Sequence, residues 1–176
     1  LDEVAAIEIE HENIAYTDES GRYFIFGHLF DMQQQVDLTA QRKLDSKKTE
    51  FPAQQLGQAI KTVKGDGSRI LAVFSDPDCP YCKQLEGELA RLDNVTIYTF
   101  LYNILSPDSA VKSKNIWCSA DRNKAWDDWM LNNKVAATAP ESCTTPNDKI
   151  KALGMKMRIT GTPTIFFTDG SRIPGA

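Results

Sequence analysis

Long apolar runs, an excess of basic residues and an N-terminal leader are all missing from this sequence. No apolar stretch approaches the roughly 20 residues of a membrane helix, so we predict no membrane insertion. The 20 Lys and Arg are outnumbered by 24 Asp and Glu, the net charge is −4, and no nucleic-acid partner is predicted. The chain has neither an initiator Met nor a charged-then-apolar leader, as expected of a mature secreted protein, although a trimmed chain would look the same.

Cysteine is scarce, since the chain has only four, in two well-separated pairs. Such pairs fit an oxidising compartment, where disulfides persist. Of the three possible connectivities we choose Cys79–Cys82 with Cys118–Cys143, because the other two would break the short Cys-x-x-Cys motif. A zinc site built from all four thiols is disfavoured, because only one Cys-x-x-Cys exists and the second pair lacks the usual short spacing. We therefore predict no metal.

The motif Cys79-Pro80-Tyr81-Cys82 follows an apolar strand and precedes a helical segment. A bridge across two residues closes almost no loop and adds little stability, so the pair indicates redox chemistry. Pro80 suits a first helical turn and places Cys79 at the helix N-terminus, where free N–H groups and the macrodipole stabilise an anion. We expect Cys79 to ionise more readily than a free cysteine and to act as nucleophile, with Cys82 as the less exposed resolving thiol.

Two regions precede the motif. The first 30 residues are predicted to form short strands that cannot bury both faces alone, so this β unit is expected to pair with a second copy or pack on another surface. Residues 39–51 are strongly polar and predict an exposed, partly helical linker. Further on, the spacing of Leu56, Ile60 and Val63 predicts another helix.

The rest of the chain has the pattern of an α/β fold. The predicted elements are strands at about 70–75 and 95–100, a helix at 80–91, a mainly helical region at about 107–157, and a closing hairpin through Asp169-Gly170. Trp117, Trp126 and Trp129 stand at near-helical spacing within that region and are predicted to belong to the core.

Gly161-Thr162-Pro163 stands immediately before a predicted strand. A proline there cannot donate to the ladder, so it needs an edge, a strand start or a special backbone state. A cis Thr162–Pro163 bond would meet that need, but only about 5–6% of X–Pro bonds in folded proteins are cis. The residues alone do not decide whether the Thr162–Pro163 bond is cis or trans.

These segments together resemble the thioredoxin fold and, more narrowly, the bacterial periplasmic disulfide isomerases of the DsbC/DsbG type. The matching stretches are residues 74–83, Ile116-Trp117-Cys118 with residues 123–128, Ser142-Cys143, Gly161-Thr162-Pro163 and Tyr16-Thr17-Asp18. The resemblance covers most of the chain, and the combination of motifs is specific where any one alone is weak. The second cysteine pair favours the DsbC branch, although Pro80-Tyr81 is more similar to the DsbG branch.

The resemblance implies a thioredoxin-like catalytic domain with a helical insertion, preceded by a β-rich, cystatin-like dimerisation module and a linker helix. We assign residues 1–38 to the module, 39–64 to the partly helical linker and 65–176 to the catalytic domain, with the insertion at about 107–157. Family members carry more sequence before the first strand and a closing helix after the last, so we expect a partial module and a chain cut short at both ends.

The resemblance also implies roles for the four cysteines. By position, Cys79 attacks, Cys82 resolves, and Cys118–Cys143 is a structural disulfide. Val73 stands where thioredoxins place a buried acid beneath the redox pair, so proton transfer to and from Cys82 needs another route, such as water.

Four further residues complete the predicted site. Pro80 and Tyr81, between the cysteines, tune the redox pair, and Tyr81 is equally expected to contact substrate. Thr162 and a cis Pro163 are implied to face the disulfide, where their backbone groups receive an extended segment of a client protein.

The predicted function is that of a periplasmic thiol–disulfide oxidoreductase that isomerises or reduces incorrect disulfides in misfolded or mis-oxidised secreted proteins. The family implies a homodimer through residues 1–38 and a membrane electron donor of the DsbD type, so no bound cofactor is expected. The alternatives are a dimeric holdase for unfolded clients with incidental thiols, a dithiol oxidase, and a reductase of client sulfenic acids.

Overall fold

The computed structural model describes residues 4–9, 13–46 and 48–175. The other residues, 1–3, 10–12, 47 and 176, fall in the ranges predicted above for the module, the linker and the catalytic domain, and lie outside the described residues. The chain divides into two compact units, Leu1–Lys48 and Thr49–Ala176, and each is described by itself.

The first unit is built on a three-stranded antiparallel sheet in the order β1-β2-β3. Its strands are β1 (Val4–Ile9), β2 (Asn13–Asp18) and β3 (Phe24–Phe26). A two-stranded ribbon of β4 (Phe30–Asp31) and β5 (Val36–Asp37) follows. The short strands predicted for the first 30 residues are therefore confirmed.

Helix α1 (Leu38–Ser46) ends the first unit and confirms that the polar segment is partly helical. It begins where the Asp37 carboxylate accepts hydrogen bonds from the backbone N–H groups of Thr39 and Ala40, both at 3.0 Å. The buried Thr39 hydroxyl is also hydrogen-bonded to the hydroxyl of Tyr16 on β2. This contact fixes the start of the helix against the sheet of its own unit.

The second unit contains a five-stranded mixed sheet in the order β10-β9-β7-β8-β6, in which only β7 and β8 are parallel. Its strands are β6 (Ile60–Lys64), β7 (Arg69–Ser75), β8 (Val95–Leu101), β9 (Thr164–Phe167) and β10 (Arg172–Ile173). Helix α2 (Pro80–Leu89) connects the parallel pair, which confirms the predicted βαβ unit and hairpin.

The helix predicted from Leu56, Ile60 and Val63 is wrong. A 3₁₀ helix spans Ala53–Gln58, Ala59 is extended, and the chain continues as strand β6, paired antiparallel with β8. Ile60 is buried whereas Val63 is exposed, so the three apolar residues do not share one face. The β-branched residues of this segment favour an extended chain, and the edge of the sheet supplies its backbone hydrogen bonds.

Strand β7 lies in the middle of the sheet and is buried on both faces towards its C-terminal end. Phe74 stacks on Phe100 with ring centroids 4.6 Å apart, and meets the edge of Phe166 at 5.6 Å. Val73 points to the other face, where it packs with Leu89 of α2. Burial on both faces holds this strand rigidly, and the Cys-x-x-Cys motif follows directly from its end.

Three helices follow β8: α3 (Pro107–Trp117), α4 (Arg122–Asn132) and α5 (Asn147–Lys156). The side chains of Ser106 and Asp121 accept N-terminal backbone hydrogen bonds and start α3 and α4. Trp117 and Trp126 are buried in the core as predicted, whereas Trp129 is only partly buried and contacts the redox loop described below.

Candidate active site

The redox motif lies where β7 ends and α2 begins. Cys79 is the N-cap of α2 in an extended conformation, and Pro80 occupies the first turn, where a missing N–H costs no hydrogen bond. The Cys79 N–H donates to the Asp76 carbonyl at 3.1 Å and closes a turn before the helix. The sulfur of Cys79 therefore stands where backbone N–H groups of α2 point outward without helical partners.

Both cysteines of the motif are free thiols. The Cys82 N–H donates to the Cys79 sulfur at 3.4 Å, an interaction that favours negative charge on that sulfur. Cys79 is 3% exposed and Cys82 0% exposed. Burial raises the pKa of the Cys82 thiol to about 12, so Cys82 keeps its proton at neutral pH. Of the two thiols, only Cys79 is in contact with solvent.

The Thr162–Pro163 loop lies against this pair, and its peptide bond is cis. The Cys79 thiol donates a hydrogen bond to the Thr162 carbonyl at 3.3 Å, across 83 residues of sequence. The Thr164 hydroxyl donates to the Gly161 carbonyl at 2.8 Å and holds the loop at the start of β9. Thr162 and Pro163 therefore lie beside the reactive sulfur.

Pro80 and Tyr81 are the outward-facing part of the motif. Both are exposed, and the Tyr81 side chain is 60% exposed at the mouth of the site. A large aromatic ring at this position offers apolar contact area to any chain that approaches Cys79.

Asp76 is a fully buried carboxylate that organises the redox loop. Its Oδ1 accepts hydrogen bonds from the Asp78 N–H at 2.8 Å and the Ser109 hydroxyl at 2.7 Å. Its Oδ2 accepts from the N–H groups of Ile104 and Leu105 at 2.8 and 3.0 Å. These four donors satisfy the hydrogen-bonding capacity of the buried carboxylate. Through them the redox loop is hydrogen-bonded to the segment after β8 and to α3.

Asp78, just before Cys79, is paired rather than free. Burial would raise its pKa, but hydrogen bonds from Lys112, Ser106 and Ser109 outweigh this effect and lower the pKa below its usual value. Lys112 also pairs with Asp108 at 2.6 Å. The carboxylate next to Cys79 is therefore largely neutralised by Lys112 of α3.

Trp129 of α4 contacts the motif on both sides. Its indole N–H donates to the Pro77 carbonyl at 2.7 Å, two residues before Cys79. The ammonium groups of Lys83 and Lys112 lie 4.0 and 4.6 Å from its ring centroid, in cation–π contact. Burial, followed by repulsion from Lys112, lowers the pKa of Lys83. The sequence predicted only a core role for Trp129.

The second cysteine pair forms a disulfide. Cys118 follows the last residue of α3, and its bond to Cys143 joins positions 25 residues apart in the chain, with the Cα atoms 6.3 Å from each other. The bridge closes the segment that contains α4 and therefore holds Trp129 near the redox loop.

Comparison with known proteins agrees with this geometry. A model of the thioredoxin-like domain family matches residues 56–176, which is the larger part of the chain. A second model, described as the disulfide bond isomerase protein N-terminal domain, matches residues 3–40. The chain belongs to the thioredoxin-like domain family. The resemblance stated from the sequence and the predicted thioredoxin-like fold are confirmed.

Relatives named DsbC are similar to this chain over most of its length. It is 46% identical to the probable thiol:disulfide interchange protein DsbC of Bordetella pertussis over 164 residues, 93% of this chain and 58% of that relative. It is 26% identical over 171 residues to the thiol:disulfide interchange protein DsbC of Escherichia coli, 95% of this chain and 70% of that one. The chain thus spans less than two thirds of the length of its Bordetella relatives.

A solved structure also resembles this chain. The crystal structure of a disulfide interchange protein from Neisseria gonorrhoeae shares 42% sequence identity with it and superposes with a TM-score of 0.63, covering 68% of this chain and 86% of that one.

The described residues contain neither a cluster of metal-binding side chains nor a membrane-spanning helix. Within 4–9, 13–46 and 48–175, no three His, Cys, Asp or Glu side chains stand close enough together to hold a metal ion. In the same part of the chain no helix has both the length and the apolar character needed to cross a bilayer.

Proposed function

We propose that this DsbC-type chain isomerises or reduces incorrect disulfides in client proteins through Cys79 and Cys82. The observation that carries the proposal is the position of the Cys79 sulfur at the N-terminus of α2, within hydrogen-bond distance of the Cys82 N–H and the Thr162 carbonyl. The names of the Bordetella and Escherichia relatives, both thiol:disulfide interchange proteins, support it.

The first step is attack by the Cys79 thiolate on one sulfur of a client disulfide. A Cys79–client sulfur bond forms, the client's own sulfur–sulfur bond breaks, and the second client sulfur leaves as a thiolate. The Cys82 N–H and the start of α2 stabilise the charge on Cys79 before attack. No cofactor is needed, because both electrons of the new bond come from the thiolate.

The second step decides between isomerisation and reduction. In isomerisation a different client thiolate attacks the mixed disulfide and releases Cys79 as a thiolate, so the client keeps a rearranged disulfide. In reduction the Cys82 sulfur attacks Cys79, the pair becomes a disulfide and the client leaves with both cysteines reduced. Because burial raises the pKa of Cys82 to about 12, reduction needs a group that accepts the Cys82 proton.

The loop at Thr162 and Pro163 orients the client. A segment that lies extended along this loop places its disulfide against Cys79, and exposed Tyr81 supplies apolar contact on the other side. In this proposal Pro80 and Tyr81 set the access to the pair and Thr162 and Pro163 set the direction of approach.

The domain assignment is part of the proposal: a dimerisation module at 1–38, a linker at 39–64 and a catalytic domain at 65–176 with an insertion at about 107–157. The last residues assigned to the linker, Ile60–Lys64, form strand β6 of the sheet that carries the redox motif. Strand β3 lies at an edge of its sheet, and its residues Phe24, Ile25 and Phe26 are 49%, 64% and 71% exposed. An exposed apolar edge strand is a template for pairing with another chain, here a second copy. The match to the isomerase N-terminal domain over residues 3–40 supports this homodimer.

We also propose a periplasmic location and a membrane electron donor that keeps Cys79 and Cys82 reduced. The Cys118–Cys143 disulfide supports an oxidising compartment. A redox pair that must stay reduced in such a compartment needs a protein donor that delivers electrons by the same thiol exchange.

The test is refolding of a substrate protein with scrambled disulfides, with Cys79→Ser and Cys82→Ser compared. Cys79→Ser should abolish the rescue of substrate activity, whereas Cys82→Ser should retain part of it if isomerisation dominates. Unchanged rescue by Cys79→Ser would refute the proposal and favour a holdase. A reduction potential as high as that of strong oxidants, about −120 mV, would favour a dithiol oxidase instead.

A further inference from the structure

Cys82 needs a proton acceptor, and the residues around it leave few candidates. Its pKa of about 12 means that only about one molecule in 10⁵ carries the Cys82 thiolate at neutral pH. Val73, on the strand beneath, cannot accept a proton. All four hydrogen-bonding positions of Asp76 are occupied by donors, and Asp78 is paired with Lys112.

Glu86 lies on the same face of α2 as Cys82, four residues further along the helix. Side chains at this spacing are neighbours, with Cβ atoms roughly 5–6 Å apart. Because helical side chains tilt towards the N-terminus, Glu86 extends back towards the turn that contains Cys82. The Glu86 side chain is half-buried.

The space beside Glu86 contains a second, independent sign of polar chemistry. The Trp126 side chain on α4 is 1% exposed, and its indole N–H has no hydrogen-bond partner among the described residues. This buried N–H completes no hydrogen bond, but it lies near enough to Glu86 to favour the charged form of the carboxyl group and so to lower its pKa. A buried donor without a partner needs an explanation, and a role in catalysis beside the Glu86 carboxyl group is one.

The charges around Glu86 come from three elements. Burial raises the pKa of Glu86; the Trp126 N–H opposes this, Asp127 of α4 raises the pKa further, and Lys64 of β6 lowers it. The Lys64 ammonium is held by the Leu89 carbonyl at 2.7 Å, near the far end of α2. A carboxyl group whose pKa is raised is a better general base for a thiol than an ordinary surface glutamate.

We propose that Glu86 accepts the proton of Cys82 when Cys82 resolves a mixed disulfide. The proposal rests on the function given above and adds the proton route for its second step. The Cys82–Cys79 sulfur bond forms and the Cys79–client bond breaks. The proton moves from Cys82 to Glu86 and then to solvent, and the departing client thiolate takes a proton from solvent. When the electron donor reduces the pair again, Glu86 returns a proton to Cys82.

The experiment uses 5,5′-dithiobis(2-nitrobenzoate) and the reduced protein under single-turnover conditions. The first thionitrobenzoate is released when Cys79 attacks, and the second when Cys82 resolves. The variants are Glu86→Gln and, as a matched control, Glu88→Gln, which makes the same change on an exposed residue of the same helix. Cys82→Ser, which loses the second release, assigns the phases.

The expected result is that Glu86→Gln slows the second release about tenfold or more at neutral pH and leaves the first unchanged. In this variant the second rate should rise about tenfold per pH unit, because only preformed Cys82 thiolate reacts. Glu88→Gln should behave as the parent protein does. A second release that is equally fast in Glu86→Gln would overturn the inference, whereas absence of both releases from the parent protein would overturn the proposed function itself.

A second variant keeps the inference testable if Glu86→Gln fails to fold. Trp126→Phe removes the indole N–H but keeps a large ring, so the charged form of Glu86 loses support. The pH at which the second release reaches its half-maximal rate should then rise. An unchanged midpoint in a folded Trp126→Phe protein would count against Glu86 as the proton acceptor.

Discussion

Replacing Asp76 by asparagine tests whether the redox loop depends on one buried charge. In the structure the two carboxylate oxygens accept four hydrogen bonds, three of them from backbone N–H groups that cannot turn away. Oδ2 faces two N–H groups, so the amide oxygen of the variant must occupy that position. The new NH₂ group then faces the Asp78 N–H and the Ser109 hydroxyl.

The cost of Asp76→Asn follows from those partners. The Ser109 hydroxyl can rotate and accept a hydrogen bond, but the Asp78 N–H meets another donor and loses its partner, which costs about 1–3 kcal/mol. The two bonds to Ile104 and Leu105 remain but lose the assistance of a full negative charge, which roughly halves their strength. Together these effects should lower the free energy of unfolding by about 3 kcal/mol.

Urea unfolding of the reduced protein at neutral pH measures this loss. The matched control is Asp148→Asn, the same substitution on an exposed residue in the first turn of α5, which should cost less than about 1 kcal/mol. If Asp76→Asn lowers stability no more than Asp148→Asn does, the four hydrogen bonds do not have the energetic role assigned to them.

Three further changes test other parts of the catalytic unit. Replacing both Cys118 and Cys143 by serine should lower the free energy of unfolding by about 3–4 kcal/mol, the value expected for a disulfide between residues 25 positions apart in the chain. An unchanged urea midpoint would contradict this prediction. Burial raises the pKa of Cys82 to about 12, so the unfolded chain loses the Cys82 proton at a lower pH than the folded protein does. The free energy of unfolding of the reduced protein, relative to that of Cys82→Ala, should therefore fall by roughly 1.4 kcal/mol per pH unit between about pH 9 and 12. If the difference between the reduced protein and Cys82→Ala does not change with pH, the burial argument is refuted. Trp129→Phe removes the donor to the Pro77 carbonyl but keeps a ring, and it should lower the free energy of unfolding by about 1 kcal/mol. Trp129→Ala should lower it further, and an equal loss in the two variants would show that the ring does not contribute to stability.

Much of the catalytic unit could be predicted because its signals are local. The position of Cys79 as N-cap follows from Pro80 in the next position, and the β7-α2-β8 order follows from apolar runs around the motif. The start of α4 likewise depends on the neighbouring residue Asp121, whose side chain accepts the Lys124 N–H hydrogen bond. Each of these features depends on interactions within a few residues.

What could not be predicted depends on pairing between distant segments. Strand β6 was expected to be helical, because nothing within residues 56–63 shows that the edge of β8 is available to pair with them. The four partners of Asp76 lie up to 33 positions away, so its carboxylate could not be distinguished from an exposed one next to the thiol. The spacing of Cys82 and Glu86 was visible in the sequence, but the burial of Glu86 against α4 was not.

The helical insertion is therefore part of the active site. Ser109 and Lys112 of α3 hold Asp76 and Asp78, and Trp129 of α4 holds the Pro77 carbonyl across 52 residues of sequence. The conformation of the residues that lead into Cys79 is set by these two helices as well as by the motif. A protein with the same four-residue motif but a different insertion would present its nucleophile on a differently held loop. For this reason the motif alone cannot fix the reactivity of the pair, and exchanging α3 and α4 between relatives should change it while Cys79-Pro80-Tyr81-Cys82 stays the same.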